Sequence, residues 1–392
     1  MQSNRNQGRK KRCSLEDIKI LDLSTQVPGP YCSMLLADLG AEVIKIETTD
    51  NVGDQTRLLP DLFNNVNRNK KSICLNLKSS KAKKIFYQMA EKADVIIEGF
   101  RPGVCKKLNI DYPVIRKINS HILYCSITGY GQEGPYRGKP GHDINYLGYS
   151  GILSLEGDLN EYSKMPAIPL ADLAGSMYAA VSILAALIQR DKTGIGQYMD
   201  VSMTAAVFSL MGASISAGFL DKKGNESLYI PHYGIFKTRD DKFLTLGIVH
   251  EEHFWKNLCS VIEMGDLAVL DLFNRIARRE EITARLQNSF MTMNLDEWIK
   301  ILNDADIPCG PVYNIEESYA DPQIVHRKSF FEMDHAIEGK MKLRAFPVNF
   351  SEFTTKQDPP PSIPGMHTKD IMHKLGYSEE EICELVKENV VK

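Results

Sequence analysis

Short apolar runs alternate with helical stretches through the first half of the 392-residue chain, and this alternation narrows the fold more than any other feature. Residues 18–23, 41–47, 72–77, 94–100 and 121–127 read as strands, and 31–40, 79–93 and 114–119 as the helices between them. Residues 194–201 read as a turn and a returning strand. Repeated β-α-β units favour parallel strands joined by right-handed crossovers, so the expected class is an α/β, Rossmann-like open sheet. Ligands in such sheets sit at the carboxyl ends of the strands. Three loops leave those ends: 24–30 with its Pro28-Gly29-Pro30 turn, Arg101-Pro-Gly-Val, and Thr128-Gly-Tyr-Gly-Gln-Glu-Gly-Pro. The glycines of the third read either as turn residues or as backbone lying close to a bound chain.

The rest of the chain narrows the function classes. No Gly-x-Gly-x-x-Gly follows the first strand and no P-loop motif occurs, so neither a nicotinamide nor a P-loop nucleotide is supported. A net charge of −3 gives no reason to expect nucleic acid. No run of about 18 apolar residues is evident, so no membrane span is expected. Eight cysteines without a Cys-x-x-Cys pair argue against zinc and suit a reducing cytoplasm.

The length favours two domains. Residues 1–14 read as a flexible tail, 15–226 as the first part of a large α/β domain, 227–321 as a smaller α+β domain, and 322–392 as a return that completes the large one. Within the small domain, 233–237 and 243–248 bracket a hairpin, with helices at 252–262 and 295–303. The last helix begins at Ser378 with a Ser-x-x-Glu capping box.

Two groups carry the chemistry. His142 follows a glycine beyond the third loop, Asp172 stands just before an apolar helix expected at 175–188, and each reads as lying in a small-residue turn. An imidazole and a carboxylate on opposite sides of a carbon acid can move a proton in either direction. The enolate then needs oxyanion donors, for which the N–H groups at the start of the helix after Asp172 are candidates. The same carboxylate could instead attack a thioester and form a mixed anhydride. A structural alternative makes Asp172 only a helix cap. Residues 148–153 are small and apolar and would tolerate an acyl chain.

The chain resembles the family III CoA-transferases, within them the α-methylacyl-CoA racemases. The likeness rests on Val27-Pro-Gly-Pro-Tyr, Leu36-Ala-Asp-Leu-Gly-Ala-Glu-Val-Ile-Lys-Ile-Glu, Glu98-Gly-Phe-Arg-Pro-Gly-Val, Thr128-Gly-Tyr-Gly-Gln-Glu-Gly-Pro, Asp321-Pro-Gln and Leu375-Gly-Tyr-Ser-Glu-Glu-Glu-Ile, in that order. It implies a large domain built from both chain ends, a small domain, and an interlocked homodimer. It implies an acyl-CoA substrate, with coenzyme A as part of that substrate and no prosthetic group. Asp172 matches the acyl-carrying nucleophile of transferases and a catalytic base of racemases. Gly141-His-Asp-Ile-Asn-Tyr matches the racemase signature, whose His is the opposite base. Glu251 matches a small-domain carboxylate of the racemases, with Glu252 as its neighbouring alternative. Arg101 matches a contact to a CoA phosphate, and Val27, Tyr130 and Gly131 fall on the CoA-binding loops. The expected activity is epimerisation of a 2-methylacyl-CoA, with CoA transfer through an Asp172 anhydride as the alternative and CoA binding without catalysis behind both.

Overall fold

The computed structural model describes residues 13–50, 52–155, 166–216 and 230–392. Six strands form one sheet: β1 (Lys19–Asp22), β2 (Glu42–Glu47), β3 (Lys70–Cys74), β4 (Val95–Glu98), β5 (Leu123–Thr128) and β6 (Gln197–Ser202). Their order is β3-β2-β1-β4-β5-β6, and every pairing is parallel. This is the doubly wound order, in which the chain leaves β1 in one direction and β4 in the other.

The period of two along each strand splits the core into two layers. Ile20, Val95 and Ile97 point to one face, where they meet Cys32, Leu36, Ala174 and Ile183. Leu21 and Ile96 point to the other, where they meet Ile85, Phe86, Ile371, Ile382 and Leu385. The second group comes partly from the last segment of the chain, so the C-terminus supplies one wall of the N-terminal sheet. Its final helix, Glu379–Lys387, opens with Ser378 accepting from the Glu381 N–H, as the capping box predicts.

The covering helices are α1 (Pro28–Asp38), α2 (Pro60–Asn67), α3 (Ser80–Glu91), α4 (Val104–Leu108), α5 (Tyr112–Ile118), α6 (Asp143–Ser150), α7 (Leu170–Thr193) and α8 (Met203–Ser216). Three depart from the sequence reading. Pro28-Gly29-Pro30 is the first turn of α1 rather than a separate rigid turn, because a helix leaves its first N–H groups unbonded anyway and proline fits there. Residues 143–150 form a helix, so the supposed small-residue turn after His142 is α6. α7 begins at Leu170 and encloses Asp172 in its first turn.

α7 is also long and apolar enough to cross a membrane by length and composition, contrary to the expectation that no such run exists. Its packing against α1 and β5 gives the apolar surface another destination: Ala174, Ala179, Ile183 and Leu187 are buried in the core.

The chain divides into two compact units, 1–210 with 328–392 and 211–327. The expected first boundary, 226, lies outside the described residues. The return begins at 328 rather than 322, because Pro322–His326 is a helix counted with the second unit. The proposed tail, 1–14, also lies outside the described residues except for Cys13 and Ser14. Both are tied down: the Ser14 hydroxyl donates to Leu39 O at 3.2 Å and the Cys13 thiol to Thr354 O at 3.2 Å.

The second unit is α+β. An antiparallel sheet of β7 (Tyr233–Lys237), β8 (Phe243–Gly247) and β9 (Cys309–Pro311) shares a core with α9 (Glu252–Val261), α11 (Arg279–Phe290) and α12 (Leu295–Asp304), and α10 (Leu272–Ala277) packs on α11. Trp255, Phe290 and Trp298 fill its core.

Candidate active site

A cavity of about 500 Å³ opens in the first unit at the carboxyl ends of β1, β4 and β5. It lies at the reversal point of the strand order, where chain segments diverge and leave a crevice. Gln26 lines it from the loop after β1 and Gly29 from the first turn of α1, Phe100 and Arg101 from the loop after β4, and Tyr130 from that after β5. His142 and Asp172 line the same cavity, so residues far apart in sequence share one site.

Asp172 occupies the third position of α7. It is not the cap of that helix. Asp143, at the start of α6, reaches across and accepts from the Ala171 N–H at 2.7 Å and the Asp172 N–H at 3.1 Å. Two consequences follow. Two N–H groups of the first turn are engaged by Asp143, and a second carboxylate is held beside the first; the N–H groups expected as oxyanion donors lie after Asp172, where that of Leu173 bonds to Pro169 O at 3.0 Å inside the helix. Burial, and then the charge of Asp143, push the Asp172 carboxyl up to about 7. Among the described residues its carboxylate has no hydrogen-bond partner. A half-buried carboxylate that faces the cavity and titrates near neutrality is poised to act as a base or a nucleophile.

The role of Asp143 escaped the sequence reading, although the residue lies inside the quoted His142 motif. Replacing it with Asn keeps the capping oxygen and removes the charge. The Asp143→Asn variant is therefore expected to move the acid limb of the kcat/KM profile downward by about 0.5–1 pH unit. Burial, the larger cause, remains. A profile measured from about pH 5 to 9 checks this, and an unmoved limb contradicts it.

His142 is exposed at the N-cap of α6, with its backbone N–H donated to the Asn145 side chain at 2.9 Å. Tyr146 explains why glycines surround it. Its hydroxyl donates to Gly141 O at 2.5 Å, and its ring is so close that a Cβ on Gly129 would lie 2.2 Å from it and one on Gly141 2.7 Å. Gly131 and Gly134 have φ of +91° and +84°, the left-handed region where glycine is favoured. The glycine-rich loop is thus accounted for by turn geometry and by Tyr146. Tyr130 meets Tyr146 edge to face at 5.2 Å, and beyond it the Lys139 ammonium sits 3.9 Å from the centre of the Tyr136 ring.

Arg101 lines the cavity, and its loop is anchored by the buried Glu98, which accepts from the Phe100 N–H at 2.8 Å. Arg137 and Lys139, which the sequence reading passed over, add two further cations to the wall. Val27 is buried at the N-cap of α1, between the lining residues Gln26 and Pro28. Gly131 turns the loop, its N–H donated to the Thr128 hydroxyl at 3.1 Å. Residues 148–153 do not line the cavity, so the apolar floor expected there is absent from it.

Glu251 belongs to the second unit. It precedes α9, and its carboxylate accepts from the Val249 and His250 N–H groups at 2.9 and 3.1 Å, which hold its pKa down. Glu252 is ion-paired with the buried Arg275 at 2.5 Å. Among the described residues, no group of three or more His, Cys, Asp or Glu side chains could hold a metal ion.

The chain as a whole is similar to known proteins. The family model for CoA-transferase family III matches residues 15–368. Succinyl-CoA:glutarate CoA-transferase of Homo sapiens is 34% identical over 96% of this chain and 90% of its own. α-Methylacyl-CoA racemase of Homo sapiens is 30% identical over 97% of this chain and 98% of its own. A CAIB/BAIF family protein from Brucella suis, solved by crystallography, superposes with a TM-score of 0.81 at 26% identity over 93% of this chain and 100% of that one. The family model over most of the length and two relatives at 30% identity or more, each matched over most of its own length, agree: the chain belongs to CoA-transferase family III, as an enzyme of that kind.

Proposed function

We propose that this enzyme transfers coenzyme A between carboxylic acids, with Asp172 as the nucleophile. The observation that carries this reading is the unpartnered Asp172 carboxylate, set in a cavity whose lining also carries the cations Arg101, Arg137 and Lys139. Three cations suit the phosphates of coenzyme A. The carboxylate attacks the thioester carbonyl, the C–S bond breaks, and CoA leaves as a thiolate while an aspartyl mixed anhydride forms. The acceptor carboxylate then attacks the Asp172 carbonyl of this anhydride, the donor acid leaves as its carboxylate, and a second anhydride forms. The thiolate attacks the acceptor's carbonyl carbon in it, which gives the new thioester and regenerates Asp172. The human glutarate transferase acts between two dicarboxylates by its name, which makes succinyl-CoA and glutarate the first pair to try.

A second reading, epimerisation of a 2-methylacyl-CoA, is favoured by one observation: His142 lines the cavity that holds Asp172. A base titrating near 7 also suits proton transfer. Mass spectrometry of a 2-methylacyl-CoA in D₂O, with an acceptor acid present, separates the two. A new thioester of the acceptor without label at the α-carbon is expected. A one-dalton gain with loss of stereochemical purity, and no acceptor thioester, would overturn transfer in favour of epimerisation.

An interlocked homodimer is part of the same proposal. Met177, Val181 and Ile188 leave an apolar stripe of α7 exposed, which a second chain would cover.

A further inference from the structure

Behind the cavity wall lies a group of buried charges that the chemistry above does not use. Lys45 and Lys70 are 2% and 1% exposed, and Asp22 and Asp54 are both 0% exposed. Two cations and two anions make the group neutral. Lys45 pairs with Asp54 at 2.8 Å and Lys70 with Asp22 at 3.2 Å. Burial would raise the Asp22 carboxyl, but Lys70, Lys45 and the hydroxyls of Ser24 and Ser33 outweigh it and hold it at about 2.

Burying four charges is a poor route to stability, because apolar residues of similar volume usually serve as well or better. What these charges hold is more informative. Lys45 donates to Ser24 O at 2.9 Å, and Lys70 donates to Pro30 O at 2.8 Å. Asp22 accepts from the Ser24 N–H at 2.9 Å, and Asp54 from the Gln26 N–H at 3.2 Å. Gln26 is held at a φ of +65°, which a glutamine adopts only under constraint. The group therefore grips both ends of the 24–30 segment, or 24–30 loop, which comprises the loop after β1 and the first turn of α1. Between those ends, Thr25, Gln26, Pro28 and Gly29 line the cavity. The loop is also tied to the catalytic helix: the Ser176 hydroxyl lies 2.6 Å from both Pro28 O and Asp172 O.

We propose that Lys45, Lys70, Asp22 and Asp54 are positioning residues that set the backbone of the 24–30 loop against Asp172, so that the cavity is preformed for the acyl-CoA. The proposal rests on the CoA-transfer reading for its substrate, but the placement of the loop is a separate and separately measurable matter. None of the four touches the reacting atoms. Their effect passes through the loop, where a displacement of about 1 Å can cost on the order of 100-fold in rate.

The test is the paired variant Lys45→Met/Asp54→Asn, which removes both charges together, so that neither partner of the ion pair is left as an unpaired charge, and takes from Ser24 O the donor that holds the loop. Melting temperature, hydrogen exchange of the peptide covering 24–30, and kcat and KM for succinyl-CoA with glutarate are measured on the full chain. The expected result is a folded protein with a melting temperature near wild type, faster exchange in the loop, and kcat/KM lowered at least about tenfold. As a control, Arg68→Met/Asp38→Asn removes another buried pair outside the cavity lining and should keep kcat/KM within about twofold. A folded variant with unchanged loop exchange, or with wild-type kcat/KM despite faster exchange, overturns the proposal. If the wild type does not turn over this substrate pair, loop exchange and the binding of coenzyme A by calorimetry carry the test. Faster exchange with weakened CoA binding then supports the positioning role and places the failure in the functional reading. Should the paired variant not fold, Asp54→Asn alone is read the same way, since it keeps an oxygen for Gln26 and loses only the charge facing Lys45.

Discussion

Replacing Asp172 with Asn is expected to abolish turnover and, at the same time, to stabilise the fold at neutral and alkaline pH. The loss in kcat should be on the order of 10⁴ or more, the scale seen when a covalent nucleophile is removed. It should be the same for CoA transfer and for α-proton exchange, because both reactions use this carboxylate. The gain in stability comes from the same physics that makes the group reactive. Its carboxyl is raised from 3.8 to about 7 by burial and by Asp143. A carboxyl whose folded pKa lies above its unfolded value binds its proton more tightly in the native state. The wild type therefore loses stability as pH rises from about 4 through 7, and the loss is complete above that window. Raising a pKa by one corresponds to about 1.4 kcal/mol, and partial exposure reduces the sum, so the variant should be more stable by about 2 kcal/mol at pH 8. Thermal unfolding at about pH 5 and pH 8 reads the difference. An equal gap at both pH values would mean that the carboxylate is not strained by its surroundings. His142→Ala separates the two chemistries: transfer should survive it far better than it survives Asp172→Ala, whereas epimerisation should not.

Arg68→Ala is expected to cost about 3–5 kcal/mol, the largest stability effect of any single substitution considered. Arg68 and Asp38 are 3% and 1% exposed and are joined at both ends of the guanidinium, Nε to Oδ1 at 3.0 Å and Nη2 to Oδ2 at 2.5 Å. Asn69 donates to the same carboxylate at 2.7 Å and to Lys356 O at 3.0 Å. The cluster thus fastens the end of α1 to the returning C-terminal segment. Removing Arg68 leaves Asp38 buried with only an amide for a partner. Burial already raises the Asp38 carboxyl in the intact protein, and without the arginine it rises further. The damage should therefore be larger at about pH 8, where the acid must be ionised, than at about pH 5, where it can take up a proton. Chemical denaturation at both pH values checks the size and the sign. A cost below about 1 kcal/mol would mean that the segment is held by its backbone contacts alone.

Much of the fold could be read along the chain. The strands announced themselves as short β-branched runs, and the alternation with helices correctly implied a parallel sheet. The Ser378 capping box and the 233–248 hairpin depend on neighbours in sequence, and both are found. The misread segments share one cause. Pro28-Gly29-Pro30 and 143–150 contain residues that signal turns in isolation, and at a helix N-terminus those signals do not distinguish a turn from a first turn. The apolar helix was likewise placed too late, since its first turn carries Asp172 and little hydrophobic periodicity.

The site divides along a similar line. The sequence by itself determined which groups could do chemistry, His142, Asp172 and Arg101, because reactivity belongs to side-chain type. It also determined the alternation of strands and helices in the first half of the chain, because hydrophobic period is a local property. Only the tertiary structure decided what those groups meet. It placed Asp143 on the N–H groups of Ala171 and Asp172, brought Arg137 and Lys139 to the cavity wall, and buried Lys45 and Lys70 behind the 24–30 loop. These are relations between segments far apart along the chain, and a carboxylate's pKa or a loop's position depends on distance and dielectric in space, which no spacing along the chain encodes.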